Sequence, residues 1–176
     1  MRSRTLDLAI EFLLPEKSTW QITHGQTWLE ARQSSSASSY AFRTWRAARL
    51  VRQSECEEQA RLVRPAIPIA EPESIVEQRP FAAPAGFDSK LVVGVEPTMR
   101  GVEGYALVFG SSVGFCYAAV FTTVASGGDA EQTVATRLGV AVDRVFASVK
   151  ARNVDDRVPR RHLVSGPKSA PAAPSQ

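Results

Sequence analysis

Residues 104–128 read GYALVFGSSVGFCYAAVFTTVASGG, twenty-five consecutive positions between Glu103 and Asp129 without a charged side chain. On length alone the stretch suffices for a membrane-spanning helix, which needs roughly twenty apolar residues. Its composition argues otherwise. Val, Phe, Tyr and Thr dominate, and these lose rotamer freedom in a helix but pack well on a pleated sheet. Gly110-Ser111-Ser112-Val113-Gly114 interrupts the run with small, flexible residues and predicts a turn. Before it, Tyr105, Leu107 and Phe109 alternate with Ala106, Val108 and Gly110; after it, Phe115, Tyr117 and Phe121 alternate with Cys116, Ala118 and Val120. The stretch therefore reads as a hairpin buried on both sides at the middle of a sheet, with one bulky aromatic face and one small face. The alternative is a membrane-associated protein that inserts 104–128.

The residues that follow support the hairpin. Asp129 with Gln132 three positions on predicts a capping box, and Val134, Leu138, Val142, Val145, Phe146 and Val149 recur at helical spacing, with Arg137, Asp143, Arg144 and Ser148 off the stripe. Lys150 and Arg152 would close this helix, placed at about 129–151, with favourable charge. Such a helix needs an apolar surface, and the hairpin offers one.

Working outward, the segment from Thr5 to Leu14 alternates with period two and ends at Pro15, predicting a first strand. Trp20 and Ile22 suggest a second strand turned at His24-Gly25. Runs at 28–32 and 40–46 flank the serine-rich 33–39, read as a hairpin loop. Ser54 with Glu57 predicts a second capping box opening a helix at about 54–64, with Cys56, Ala60 and Val63 on its inner stripe and Pro65 ending it. Prolines then mark a crossover at 65–86, with a strand near 74–78, and 91–96 forms a strand followed by a turn at 99–101. The expectation is an α+β fold: a twisted antiparallel sheet of about six to eight strands with two covering helices, in one domain over 1–152, followed by a low-complexity disordered tail at 153–176.

The chain has 176 residues, 44% hydrophobic and 22% charged, with a net charge of +3. This is ordinary globular material. Its basic residues are partly local, at Arg43, Arg46, Arg49 and Arg52 and in the tail at Arg157, Arg160, Arg161 and Lys168, and the modest balance argues against nucleic-acid binding. No secretory hydrophobic region opens the chain, so it reads as cytoplasmic as it stands, or periplasmic if a leader has been removed.

An apolar strand ending in Leu14-Pro15, Trp20 shortly after, a meander, a helix, a second meander and a C-terminal helix resemble the Mog1/PsbP-like bacterial α+β domains. That resemblance runs over about 5–150 and implies a partner-binding scaffold rather than a reaction.

Candidate chemistry is sparse. Cys56 and Cys116 fall on surfaces that face each other, and a disulfide there would close a loop of about sixty residues worth roughly 3 to 4 kcal/mol; two buried thiols are the alternative. His24 and His162 lack ligand partners in sequence, so no metal site is expected, and no cofactor motif is present. No serine sits in a nucleophile elbow. Ser126-Gly127-Gly128 outlines a phosphate loop, but Asp129 would repel phosphate there. Trp20, Trp28 and Trp45 exceed what one small core needs and are the candidate binding residues. The expected function is non-enzymatic: a binding or accessory domain that holds a protein or peptide partner near the N-terminal meander. A small enzyme whose site assembles only on folding is the remaining alternative.

Overall fold

The structure, a computed structural model, describes residues 8–25, 28–61, 63 and 72–153. Of the crossover expected at 65–86, residues 65–71 lie outside the described residues, as does the tail from 154. Among the described residues eight extended segments occur: β1 (Leu8–Glu11), β2 (Gln21–His24), β3 (Trp28–Gln33), β4 (Ser38–Leu50), β5 (Ile75–Phe81), β6 (Asp88–Thr98), β7 (Gly101–Ala125) and β8 (Lys150–Asn153). Two α-helices accompany them, α1 (Gln53–Arg61) and α2 (Ala130–Val140). The fold is α+β and mostly strand. The main sheet has the order β2-β3-β4-β7-β6-β5, antiparallel throughout, and β1 pairs with β8 in a separate two-stranded sheet.

The uncharged stretch is β7, an unbroken run of extended residues that folds back on itself. A straight strand from Gly101 to Ala125 would span about 80 Å. Instead, a Cβ placed on Gly101 would strike the carbonyl oxygen of Ala125, and one on Gly110 would lie 2.8 Å from the Tyr117 ring. The first arm, 101–111, pairs with β6, while the second, 113–123, pairs with β4. Gly114 takes the left-handed φ of 75° at the bend, and Val113 at the tip is 75% exposed. β7 is therefore the hairpin expected from the sequence, central in the sheet and buried on both faces, which is why it tolerates no charge.

The assignment of faces needs correction. Tyr105, Leu107 and Phe109 of the first arm share a face with Cys116, Ala118 and Val120 of the second. Ala106 and Val108 share the other with Tyr117, Ala119 and Phe121. Odd positions on one arm thus lie beside even positions on the other, so each face mixes large and small side chains instead of segregating them. A regular continuous strand would keep one parity per face, so the switch accords with the fold-back that brings Gly101 against Ala125.

One helix covers each face. α1 docks through Cys56 and Ala60, both fully buried, against Tyr105, Leu107 and Phe109. It starts at Gln53, and the Arg52 carbonyl accepts the amides of Glu55 and Cys56, so Ser54 lies inside the helix rather than capping it. α2 covers the opposite face with Val134 and Leu138, which lie over Gly104, where any Cβ would collide with Val134. Asp129 does stand at the N-cap of α2, but its carboxylate makes no capping hydrogen bond. The helical path continues as a π turn at Ala141–Val145 and a 3-10 turn at Phe146–Ser148, keeping Ala141, Val142, Val145 and Phe146 buried. It then ends. Lys150 and Arg152 lie on β8 against β1, not on a last helical turn, and Ser148 Oγ accepts the Leu13 amide at 2.9 Å.

Cys56 and Cys116 meet beneath α1 with their sulfurs at bonding distance and their Cα atoms 5.5 Å apart. Of the two arrangements left open by the sequence, a disulfide or two buried thiols, this is the first. It ties the first helix to the second arm of the central hairpin.

Candidate functional site

The three tryptophans do not assemble into one surface. Trp28 lies on the α1 face of β3, opposite Arg43, is 38% exposed and folds its indole over Gly25. Trp45 is half-buried against the cluster beneath α1. Trp20, just before β2, packs on the other face, its ring 5.1 Å from that of Tyr40 and its indole N–H donating to the Pro15 carbonyl at 2.9 Å. No exposed pair of tryptophans results.

Trp20 does form one wall of a cleft. The cleft has a volume of about 210 Å³ and lies between the segment leading into β2, the start of β4 and the outer edge of α2. Its apolar walls are Pro15, Trp20, Tyr40, Phe121 and Val140. Sheet alternation places Tyr40 and Phe121 side by side: they pair directly across β4 and β7, with ring centroids 4.6 Å apart. The polar rim comes from Gln33, Ser36, Ser38, Thr136, Arg137 and Glu16.

Arg137 fixes the rim. Its Nη1 donates to the Ser36 carbonyl at 2.8 Å, to Thr123 Oγ1 at 3.0 Å and to the Val124 carbonyl at 3.1 Å. The guanidinium therefore staples the serine-rich turn between β3 and β4 to the end of β7. No carboxylate among the described residues forms an ion pair with it. Tyr40 is only 2% exposed, and its hydroxyl makes no hydrogen bond among the described residues. No sealed polar side-chain atom among the described residues is left unpaired, so that oxygen keeps some solvent access, and Tyr40 lines the cleft.

Tyr117, on the same face, is the opposite case. Its hydroxyl donates to the Ala83 carbonyl at 2.7 Å and bonds Ser89 Oγ at 2.9 Å, anchoring the turn before β6. Burial pushes both phenols well above the ordinary tyrosine range, with the Ser89 bond partly offsetting this at Tyr117. The unfolded chain then releases these protons first as pH rises past about 10, so stability is complete below that point and falls above it by about 1.4 kcal/mol per pH unit for each phenol. Urea midpoints at pH 8 and pH 11 measure the loss, and a midpoint that does not fall would show the phenols are not buried as described.

Two other depressions are less suited to a ligand. One of about 180 Å³ beside Trp28 opens onto Glu30 and Arg43. The other, a broad one of about 480 Å³, lies by the edge strand β5 among Arg79, Asp88 and Lys90. Among the described residues no three metal-ligating side chains converge, and His24 stands exposed on β2. His162 lies outside them.

Of the cleft residues only Trp20 stands out in the sequence as a binding candidate. Arg137 reads there as a solvent-side position of α2 and Ser36 as loop. Tyr40 and Phe121 read as ordinary strand positions. Their convergence depends on pairings between segments eighty residues apart, for which the sequence carries no local signal.

No protein-family model matches the chain, and no curated protein matches it. Among solved structures, it is similar to a crystal structure from Bacteroides thetaiotaomicron with a TM-score of 0.49 and 10% identity, over 86% of this chain and 47% of that one. The chain thus spans about half the length of that protein. No helix among the described residues is long and apolar enough to cross a membrane.

Proposed function

We propose that this chain is a non-enzymatic binding or accessory domain that holds a protein or peptide partner at the Trp20 end of the sheet, taking one apolar side chain into the cleft. The observation that carries this reading is the Tyr40 hydroxyl, nearly buried and unpartnered at a preformed cleft with aromatic walls. A folded protein pairs its buried polar groups, so this hydroxyl takes its partner from whatever fills the cleft, water or a ligand that displaces it. Four further features agree. The cleft has room for one side chain rather than an element. Its rim is held rigid by Arg137, which lowers the ordering cost of association. The order of elements also resembles the Mog1/PsbP-like scaffolds, and a Cys56–Cys116 disulfide favours an oxidising compartment.

Thr136 offers a clean test, because it is exposed on α2, lines the cleft and bonds only the Gln132 carbonyl one turn back. Peptides selected on the full chain from a random synthetic library, free at both ends, should bind Thr136→Trp at least about tenfold more weakly and Trp28→Ala as before. Selected peptides that bind Thr136→Trp as well as the parent, or that depend on Trp28 instead, would place the binding surface elsewhere.

A further inference from the structure

The polar atoms around the cleft fall into two groups, those already used and those left over. The carbonyls are used. Ser36 O accepts both Arg137 Nη1 at 2.8 Å and Ser38 Oγ at 3.1 Å, filling its two lone pairs, and Pro15 O accepts the Trp20 indole. Gln33 is used at both ends, its oxygen accepting from Ser36 Oγ and its nitrogen donating to Thr19 Oγ1. Ser38 Oγ also bonds Thr123 Oγ1 at 2.9 Å.

What remains is a surplus of donors. Arg137 makes its three bonds through Nη1 alone, so the N–H groups of Nε and Nη2 have no partner among the described residues. The Tyr40 O–H likewise makes no hydrogen bond among the described residues. A group that enters such a cleft must bring acceptors. Since the guanidinium is half-buried, fixed and always charged, and its planar fork matches a carboxylate, an anionic acceptor is favoured over a neutral one. Glu16 is the single carboxylate on the rim among the described residues, and it is exposed and unpaired with Arg137, so solvent and salt screen its repulsion.

We infer that the cleft binds a carboxylate carried on an apolar body, with Arg137 and the Tyr40 hydroxyl as its donors, and that the occupant is the C-terminal residue of a peptide chain. This identification of the chain end rests on the binding reading above. The apolar walls take the terminal side chain, and the two donors take its carboxylate, a recurrent way of recognising a chain terminus.

Three probes titrated into the full chain test this, with the Trp20 indole N–H resonance reporting occupancy. They are acetyl-Gly-Ser-Phe as the free acid, the same peptide as the C-terminal amide, and 3-phenylpropionate. The acid should shift the Trp20 signal and bind at least about tenfold more tightly than the amide, the loss expected when a charge-assisted bond is removed. Tyr40→Phe should weaken the acid several-fold while leaving the melting temperature unchanged, since the hydroxyl has no partner to lose. Thr136→Trp should abolish binding. Equal affinity for acid and amide, or an acid affinity indifferent to Tyr40→Phe, would overturn the carboxylate inference and leave the cleft as a binding site. If none of the probes shifts Trp20, the cleft reading falls with it. Phenylpropionate binding as tightly as the peptide acid would support the carboxylate chemistry but overturn the chain end as its source.

Discussion

Reducing the full chain, or replacing Cys56 and Cys116 by alanine, should lower its unfolding free energy by about 3–4 kcal/mol, the entropy of closing a sixty-residue loop. The two residues are 60 positions apart and almost completely buried. The loss should also be uneven. α1 has nine residues, of which Cys56 and Ala60 alone are buried, and a helix that short is marginal in isolation. With the cross-link open, its attachment rests on Ala60 and the half-buried Val51 and Val63, so its amides should lose exchange protection before those of the sheet. Calorimetry with and without reductant should show the melting temperature fall by about 6–16 °C, given about 2–4 °C per kcal/mol for a chain of this size. A fall of less than about 2 °C would mean that the pair does not cross-link the folded chain.

The second large effect lies on the other face. Phe146→Ala should cost about 3–5 kcal/mol, the range for truncating a buried aromatic side chain whose site collapses only partly. Phe146 is fully buried at the 3-10 turn after α2, its ring set edge-on to Tyr40 at 6.2 Å and to Phe42 at 6.4 Å. Removing it leaves a void behind Tyr40, so the Trp20 cleft should also lose definition, whereas reduction of the disulfide on the opposite face should leave the cleft intact. Val113→Ser, at the exposed hairpin tip, serves as the control and should shift the urea midpoint by less than about 0.5 kcal/mol equivalent. A Phe146→Ala loss no larger than that of the control would show that the aromatic cluster does not form this part of the core.

The contrast between these two faces marks how far the sequence could be read. The central hairpin was legible because several independent signals coincide in it: no charge over two buried faces, β-branched and aromatic alternation, and a small-residue turn at its middle. Cys56 opposite Cys116 followed, since the inner stripe of α1 needs an apolar strand to cover. The composition of each face was misread because alternation fixes parity within an arm but not across a turn. The number of loop residues sets the pairing, and a shift of one residue moves a whole arm's side chains to the other face. Asp129 does stand at its N-cap and lacks only the side-chain bond, whereas the cap read at Ser54 is off by about two residues, at a helix end where composition constrains little. β8 was invisible for a different reason. Lys150–Asn153 has no strand pattern of its own and is extended only because β1, from the far end of the chain, pairs with it.

The site was less legible than the fold. Counting tryptophans pointed to Trp20, but it also pointed to Trp28 and Trp45, and nothing local separates a cleft wall from a residue on the opposite face. Tyr40 and Arg137 are proposed as donors because one hydroxyl and three N–H groups make no hydrogen bond among the described residues. Only the folded arrangement shows this.

Hydrogen exchange along 101–125, followed by mass spectrometry on the full chain in detergent-free buffer, tests most directly whether the uncharged stretch is the folded-back centre of the sheet. Both arms, 104–110 and 116–123, should exchange among the slowest amides of the chain, separated by a fast segment at 112–114. Rapid exchange throughout, protection that appears only with detergent, or protection unbroken across the tip would contradict the hairpin, and with it the scaffold on which the cleft is built.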